Sequence, residues 1–255
     1  MLVAERLHKI VQLVNERGSI RVTELSELFS VTEETIRRDL DKLEGEGKLA
    51  RSHGGAISVK DDVHSEVPFL VRETTNVEQK RRIAEEAIKH IQPNDRIILD
   101  ASSTAWYMAQ ILPDLPLTVI TNSIKVALEL SGKEKIQVLS TGGLLTQRSL
   151  SFIGPLAERS LDQYHVEKAF ISGKGLHLQR GVSESNEMQA LIKQKMISIA
   201  DEVYVLADYS KFGHQSFAHV SGWDQIQHLI TDVRTDLASV QQLRDRSVDV
   251  IQLLD

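Results

Sequence analysis

The chain has 255 residues, a formal net charge of −6 at pH 7, nine histidines and no cysteine. The lack of cysteine excludes disulfides, thiolate zinc sites and cysteine nucleophiles, and because the histidines show no HExxH spacing we expect neither a metal nor a cofactor. Residues 1–6 are too charged for a signal peptide and no apolar run reaches the roughly 18 residues of a membrane span, so a cytoplasmic protein is expected.

The acidic balance argues against DNA binding through overall charge. Residues 1–57 carry nine Lys and Arg against ten Asp and Glu, so this part of the chain is not basic either. Any contact with DNA therefore depends on cations that cluster locally. A non-specific DNA binder, which relies on many phosphate contacts, is disfavoured for the same reason.

Three short helices are predicted at the start of the chain. Residues 4–17 have apolar side chains at helical spacing, and a second helix is expected from Thr23, as its N-cap, to about Phe29. After a tight turn, Thr32 is expected to cap a third helix, whose first turn carries acidic residues as the helix dipole favours. The apolar face of this third helix is formed by Ile36, Leu40 and Leu43.

Helices with this arrangement are typical of a helix-turn-helix, whose third helix enters the major groove of DNA. The side chains expected to contact DNA from this helix are Thr32, Thr35, Arg37, Arg38 and Lys42. Thr35 and Arg37 are expected to reach base edges, whereas Arg38 and Lys42 suit phosphates. An Arg-Arg pair alone is usually solvated surface charge. It indicates DNA binding only in combination with the predicted helix-turn-helix.

A β-hairpin is predicted directly after the third helix, which Gly45 and Gly47 end. Residues 48–51 and 56–59 form its strands around a Ser-His-Gly-Gly turn. Such a hairpin is the wing of a winged helix, and Arg51 and His53 near its tip suit contacts to the DNA backbone or minor groove. Helix-turn-helix, paired arginines and a cationic hairpin together favour DNA binding over a merely structural helical domain.

These segments resemble the signature of the DeoR-type transcriptional regulators. The resemblance rests on Thr-Ile-Arg-Arg-Asp-Leu at 35–40, followed by Arg-Ser-His-Gly-Gly-Ala at 51–56, and it extends through nearly the whole chain. It implies a repressor, usually of a sugar-catabolism operon, that a phosphorylated intermediate releases. It also implies that Arg37 and Arg38 lie on the recognition helix. Asp39 is expected to be structural and to pair with a neighbouring arginine.

A linker and a larger domain follow. Residues 58–75 have poor periodicity and are predicted to be a linker, with Phe69 packed onto one of the domains. Asn76 is expected to cap a helix over 77–91. Beyond it, apolar strands are predicted near 97–99, 117–120, 136–139, 166–172, 202–207, 228–231 and 248–253, alternating with helices that include a long one at 186–199. This alternation predicts a largely parallel sheet covered on both faces, whose ligands bind at the carboxyl ends of the strands.

Polar turns follow five of these strands and form the candidate effector site. Hydroxyls and backbone N–H groups at helix N-termini bind anions, and among the lysines Lys211 is the preferred phosphate partner, with Lys174 second. Each turn alone is also an ordinary helix cap. The presence of five such turns on one sheet edge is what indicates a ligand site. The residues expected to bind the effector are Asp100, Ser102, Ser103, Thr104, Thr121, Asn122, Ser123, Gly142, Gly143, Lys174, Glu187 and Lys211.

The resemblance covers these turns as well. Family members carry Asp-x-Gly-Thr-Thr, Thr-Asn-Ser, Gly-Gly and Asp-x-Ser-Lys-Phe-Gly segments, which this chain matches at 100–104, 121–123, 142–143 and 208–213. The domain looks like ribose-5-phosphate isomerase, which implies a sugar-phosphate pocket without the chemistry. Two positions depart from the pattern: Ser102 replaces a glycine, and Lys174 stands where an acidic or neutral residue is common.

The sequence thus predicts an α/β protein with three parts: a winged helix-turn-helix at 1–57, a linker at 58–75, and a ribose-5-phosphate-isomerase-like effector-sensing domain at 76–255. An isomerase is the alternative, but the turn at 172–175 lacks a carboxylate base, although Glu184 and Glu187 lie nearby in sequence. Because one winged helix reads few base pairs, we expect a homodimer or homotetramer on double-stranded operator DNA, controlled by a phosphorylated sugar or sugar-acid effector.

Overall fold

The computed structural model describes residues 3–17, 19–46, 48–52, 54–58 and 66–254. The chain divides into two compact units, Met1–Thr75 and Asn76–Asp255. Within the described ranges, no helix combines the length and the apolar character that crossing a membrane requires. His53 and Gly47, for which a DNA contact and a helix end were predicted, lie outside these ranges, as do residues 59–65 of the predicted linker.

The described part of the first unit combines four helices with a small sheet. Its helices are α1 (Val3–Arg17), α2 (Val22–Phe29), α3 (Glu33–Gly45) and α4 (Phe69–Arg72), and its strands are β1 (Ser19–Arg21), β2 (Leu49–Ser52) and β3 (Gly55–Ser58). The strands pair antiparallel in the order β1-β3-β2. Apolar side chains of α1, α2 and α3 pack with Ile20, Leu49 and Ala56 of the strands in one core. Three helices and a hairpin around one core form a winged helix, as predicted.

The start of α2 differs from the prediction that Thr23 is its N-cap. The helix begins one residue earlier, at Val22, and Arg21 occupies the N-cap position. Val22 is buried in the core and donates its backbone N–H to the Gly54 carbonyl over 2.8 Å, so packing rather than a capping side chain sets this boundary. Thr32 behaves as predicted: its hydroxyl accepts the Thr35 N–H at 3.3 Å and caps α3.

The segment predicted as a linker contains the short helix α4. Pro68 precedes it, and the Pro68 carbonyl accepts the N–H groups of Val71 and Arg72 at 3.0 Å each. Pro68 occupies the N-cap position of this helix, with φ of −53° and ψ of 143°, and its ring keeps φ in this range. Four residues are too few to produce a helical period, which is why the sequence pattern missed this turn.

The second unit is built on a seven-stranded parallel sheet. Its helices are α5 (Val77–Ala87), α6 (Ser103–Ile111), α7 (Ile124–Leu130), α8 (Pro155–Leu161), α9 (Glu187–Ser198) and α10 (Leu237–Arg244). Its strands are β4 (Arg96–Leu99), β5 (Leu117–Thr121), β6 (Ile136–Ser140), β7 (Leu144–Thr146), β8 (Ser151–Ile153), β9 (Val166–Ile171), β10 (Gly175–His177), β11 (Gly181–Glu184), β12 (Ala200–Ala207), β13 (Ala218–Ser221), β14 (His228–Thr231) and β15 (Asp249–Gln252). The parallel sheet has the order β15-β14-β12-β9-β4-β5-β6.

Both faces of this sheet are covered. On β4, Ile98 belongs to one apolar cluster, whereas its neighbours Ile97 and Leu99 belong to another. Tyr204 and Val205 of β12 divide between the two clusters in the same way. Side chains alternate between the faces of a strand, so two clusters mean two buried faces, as expected for a parallel sheet.

Two smaller sheets were not predicted. Strands β7 and β8 form a hairpin, and β10, β11 and β13 form a separate antiparallel sheet. These strands have three or four residues, too few for a clear apolar alternation. The helix predicted over 77–91 is also shorter, since α5 ends at Ala87 and continues as a single 3₁₀ turn, Ile88–His90.

Candidate functional site

Helix α3 presents its basic side chains to solvent and its apolar side chains to the core. Ile36, Leu40 and Leu43 are buried, whereas Arg37 and Arg38 keep 49% and 79% of their side-chain surface exposed. Exposure at this level leaves both guanidinium groups accessible to a DNA duplex. Of the other candidate residues of this helix, Thr32 and Lys42 are exposed and Thr35 is half-buried.

The arginines of α3 are paired with acidic residues one turn earlier. The Arg37 guanidinium lies 2.5 Å from the Glu33 carboxylate, and Arg38 lies 3.4 Å from the Glu34 carboxylate. Exposed pairs of this kind contribute little to stability. They orient the guanidinium groups, and any anion that binds Arg37 or Arg38 has to compete with the two carboxylates.

The side chain of Asp39, the residue after Arg38, is buried, in contrast to the exposed side chains of the two arginines. Its carboxylate is buried and accepts two hydrogen bonds from Arg6 of α1, Nε to Oδ2 at 2.6 Å and Nη2 to Oδ1 at 3.2 Å. Hydrogen bonding to Asp39 raises the pKa of the Arg6 guanidinium above its usual value. Asp39 is structural, as predicted, but its partner is Arg6 of α1, 33 residues earlier, and not a neighbouring arginine; the pair fixes α3 against α1.

The wing is connected to α3 through Arg51. The Arg51 backbone N–H donates to the Glu44 carboxylate at 2.8 Å, and its guanidinium lies 3.2 Å from the Asp41 carboxylate. The same guanidinium donates to the Gly55 carbonyl at 3.4 Å. Arg51 is therefore only partly available to DNA, and much of its side chain supports the orientation of the hairpin on the recognition helix.

In the second unit, the five predicted polar turns lie at one edge of the parallel sheet. Strands β12, β9, β4, β5 and β6 are consecutive neighbours, and all run in the same direction. The polar turns follow the carboxyl ends of these five strands, beginning at Asp208, Ser172, Asp100, Asn122 and Thr141. Neighbouring strands lie about 4.8 Å apart, so adjacent turns are within reach of one small molecule.

The turn after β4 leads into α6. The Ser102 hydroxyl caps this helix by accepting the Ala105 N–H at 3.1 Å. Ser103 and Thr104 are 4% and 3% exposed, and neither hydroxyl has a hydrogen-bond partner among the residues that the structure describes. A helix N-terminus with unpaired hydroxyls provides donors for an anion.

The turn after β5 is held by the β7–β8 hairpin. The Thr121 hydroxyl accepts the Ser123 N–H at 3.0 Å, and the Ser123 hydroxyl caps α7 through the Val126 N–H at 3.2 Å. The Asn122 amide donates to the Phe152 carbonyl at 3.0 Å, and its Oδ1 is a buried acceptor with no donor within the described part of the chain. These hydrogen bonds therefore fix the geometry of the turn and leave the Asn122 Oδ1 as an unpaired acceptor within the described chain.

The glycine pair after β6 has a packing role. Gly142 and Gly143 have φ of +60° and +112°, which other residues rarely adopt. A Cβ on Gly143 would lie 2.8 Å from the Ile153 carbonyl oxygen and 2.9 Å from the Ala157 Cβ. The pair lets the chain turn closely against β8 and α8, so these glycines shape the edge independently of any ligand.

Asp100 pairs with Lys193, a buried lysine that no sequence motif indicated. The Lys193 ammonium lies 3.0 Å from the Asp100 carboxylate and 2.7 Å from the Glu184 carboxylate, and it donates to the Ser172 carbonyl. Burial favours the neutral amine, but the carboxylates of Asp100 and Glu184 outweigh it and raise the pKa of Lys193 above its usual value. Asp100 is fully buried, and its carboxylate also accepts the N–H groups of Ser102 and Ser172 at 2.9 Å each.

The preferred lysine, Lys211, lies in the turn after β12. The Asp208 carboxylate caps this turn by accepting the Ser210 N–H at 3.0 Å, and the Asn76 amide donates to it at 3.0 Å. Asn76 occupies the N-cap position of α5 as predicted, but its φ is +50° and its side chain makes no capping hydrogen bond within the described chain; the amide donates to Asp208 and Ser210 instead. Lys211 is half-buried at the end of this turn.

The remaining two candidate effector residues, Lys174 and Glu187, lie in different environments. Lys174, in the turn after β9, is half-buried, and its N–H donates to the Ser183 carbonyl at 2.9 Å. Glu187 is exposed at the first position of α9, which follows β11 rather than a strand of the parallel sheet. It is therefore the candidate least closely connected to the sheet edge, and its position also suits pairing with the helix dipole.

Two family models match the chain and together span both units. The DeoR-like helix-turn-helix domain matches residues 6–62, and the DeoR C terminal sensor domain matches residues 75–233. Among solved structures, the chain is similar to ribose 5-phosphate isomerase A from Methanocaldococcus jannaschii, with 21% identity over 54% of this chain and 55% of that chain and a TM-score of 0.41.

Three relatives match nearly the full length. The chain is 59% identical over 250 residues to the uncharacterized HTH-type transcriptional regulator YulB of Bacillus subtilis (strain 168), covering 98% of this chain and 96% of that protein. It is 38% identical to the L-fucose operon activator of Haemophilus influenzae, covering 88% and 89%. It is 34% identical to the putative aga operon transcriptional repressor of Escherichia coli O157:H7, covering 97% and 93%.

The family models and the three relatives describe transcriptional regulators and not enzymes, so they do not support the isomerase alternative. Glu184, one possible base, is moreover paired with Lys193. The agreement of two family models and three near-full-length relatives shows that the chain belongs to the DeoR family of DNA-binding transcriptional regulators.

Proposed function

We propose that this regulator represses a carbohydrate-catabolism operon and that a phosphorylated sugar or a related metabolite binds to the second unit and releases the repressor from DNA. Relatives whose names refer to the fucose and aga operons support a role in carbohydrate use. The observation that carries the effector proposal is the alignment of five polar turns at the carboxyl edge of one parallel sheet.

DNA binding is assigned to residues 1–57. The exposed Arg37, Arg38 and Lys42 and the half-buried Thr35 suit the major groove. In this proposal Thr35 and Arg37 are directed to bases, and Arg38 and Lys42 to phosphates. Thr32 and the wing residues Arg51 and His53 complete the proposed surface. A protein with net charge −6 needs such a local cluster to approach DNA.

Effector binding is assigned to the sheet edge of residues 76–255. The N-terminus of α6, with the hydroxyls of Ser103 and Thr104, provides neutral donors for a phosphate, and Lys211 provides a charge. The turns at 121–123 and 142–143 and the residues Lys174 and Glu187 surround the remainder of the ligand in this proposal.

Communication between the two sites requires more than one copy of the chain in our proposal. A homodimer or homotetramer places two recognition helices about one turn of DNA apart, which gives the specificity that one winged helix lacks. The effector then shifts the equilibrium through its different affinities for the DNA-bound and free states, with residues 58–75 connecting the two parts.

A thermal-shift screen tests the effector proposal directly. Each phosphorylated sugar or sugar acid is compared with its unphosphorylated counterpart, and we expect at least one phosphorylated compound to raise the melting temperature where its counterpart does not. Stabilisation only by unphosphorylated sugars would contradict a phosphate site. In vitro transcription from the neighbouring promoter tests the direction of control, since a repressor lowers and an activator raises the transcript.

A further inference from the structure

Lys193 connects four segments of the second unit within one buried cluster. We define the Lys193 cluster as Lys193 of α9, Asp100 after β4, Glu184 at the end of β11, and the Ser172 carbonyl after β9. The side chains of Lys193, Asp100 and Glu184 are 6%, 0% and 12% exposed. Two of the four segments, those at Asp100 and Ser172, are turns of the proposed effector site.

The cluster determines the shape of these two turns. Asp100 accepts the backbone N–H of Ser102 with one carboxylate oxygen and the N–H of Ser172 with the other. It thereby joins the turn that opens α6 to the turn that follows β9. A fully buried carboxylate is costly unless it is paired, and Lys193 supplies the opposite charge.

The cluster also sets the electric field beneath the proposed anion site. Asp100 and Glu184 carry a formal charge of −1 each and Lys193 carries +1, so the three side chains sum to −1. Without the ammonium the sum is −2, next to a turn that has to accept an anion. At low local dielectric a change of one charge alters anion affinity strongly.

The Lys193 ammonium is not itself a free phosphate ligand, because three protein oxygens already contact it. We propose that Lys193 is a positioning residue of the anion site: it holds the Asp100 and Ser172 turns in their binding geometry and offsets the carboxylate charge beneath them. This inference rests on the proposed function, because it assumes that an anion binds at the N-terminus of α6.

The test measures binding of inorganic phosphate, the simplest probe of the site, by titration calorimetry on the full chain. Lys193→Met should weaken phosphate binding by about tenfold or more, since one unit of positive charge is lost close to the anion. Lys195→Met is the matched control, because Lys195 lies on the same helix and pairs only at the surface with Asp162. Its phosphate affinity should equal that of the wild type.

A second substitution separates charge from mere support of the fold. In Lys193→Met/Glu184→Gln the formal charge of the cluster returns to −1, so part of the lost phosphate affinity should return. Glu184→Gln alone leaves the Lys193–Asp100 pair in place and should tighten phosphate binding about threefold. This single variant tests the charge argument even if Lys193→Met does not fold.

The outcomes distinguish the two proposals. Equal phosphate affinity in the wild type and a folded Lys193→Met overturns the role of Lys193 and leaves the anion site intact. Unchanged or weaker binding by Glu184→Gln, or no recovery in the double variant, also overturns it. A wild type that does not bind phosphate overturns the anion site itself, and with it the role of Lys193.

Discussion

Arg6 of α1 and Asp39 of α3 form a buried ion pair with two hydrogen bonds, next in the chain to the exposed Arg37 and Arg38. Removing one partner leaves the other charge buried and unpaired, so Arg6→Met should lower the free energy of unfolding of the first unit by about 3 kcal/mol. Arg17→Met, which breaks the exposed pair with Glu24, should cost less than about 1 kcal/mol. Urea unfolding followed by circular dichroism measures both, and equal losses would contradict a special role of the Arg6–Asp39 pair.

Arg37 should contribute to recognition of specific bases, whereas Arg38 should contribute mainly through charge. Arg37→Ala is expected to weaken operator binding by about 1–3 kcal/mol and to relax its base preference. Arg38→Ala should weaken binding to all sequences alike and reduce the slope of log affinity against log salt by about 1. Fluorescence anisotropy at several salt concentrations separates the two effects, with Arg159→Ala in the second unit as a control that binds DNA normally. Arg37→Ala with unchanged operator affinity would remove Arg37 from the proposed interface.

Lys211 should be required for the response to the effector but not for DNA binding. Lys211→Ala is expected to retain operator affinity while losing release by the compound found in the thermal-shift screen, because the phosphate loses its cationic partner. Lys89→Ala, a substitution of an exposed lysine that pairs with Glu86, is the control and should respond like the wild type. A Lys211→Ala variant that still responds fully means that the phosphate lies elsewhere.

His90 should make the second unit less stable in mild acid. Burial lowers the pKa of His90 below its usual value, with Glu86 opposing this shift, and its ring packs 5.2 Å from that of Tyr204. The unfolded chain therefore binds a proton more readily than the folded one, so stability falls as pH drops through about 6.5 and below. His90→Gln should reduce this loss between pH 7 and 5, measured as melting temperature, and the exposed His165→Gln should not. An identical pH profile in wild type and His90→Gln would show that another group is responsible.

The sequence predicted the main architecture because its local patterns agree with the final packing. Apolar strands followed by polar turns and helices mark each parallel strand, and the turns at Asp100, Asn122 and Asp208 lie where the pattern placed them. The winged helix was predictable for the same reason, since Thr32 caps α3 and Ile36 and Leu40 face its core.

The position of Lys193 could not be derived in this way. In the sequence it is one of two nearby lysines on a long helix, and only tertiary packing places it beside Asp100 and Glu184. One signal was present: Lys193 shares the buried face of α9 with Ala190 and Ile197, an apolar spacing that a solvated lysine would break. Asn76 is of a residue type that often caps helices, but its amide donates to Asp208 in a distant turn, and only tertiary packing determines this contact.

The affinity of the protein for its own promoter, measured with and without the stabilising phosphorylated compound, tests DNA binding and effector control together. Wild type should bind this DNA more tightly than random DNA and lose affinity when the compound is added. Arg37→Ala should lose the preference for the promoter, and Lys211→Ala should keep it while losing the response. A wild type with equal affinity for both DNAs, or with promoter affinity unchanged by every compound that stabilises it, would show that the protein is not a repressor controlled by such an effector.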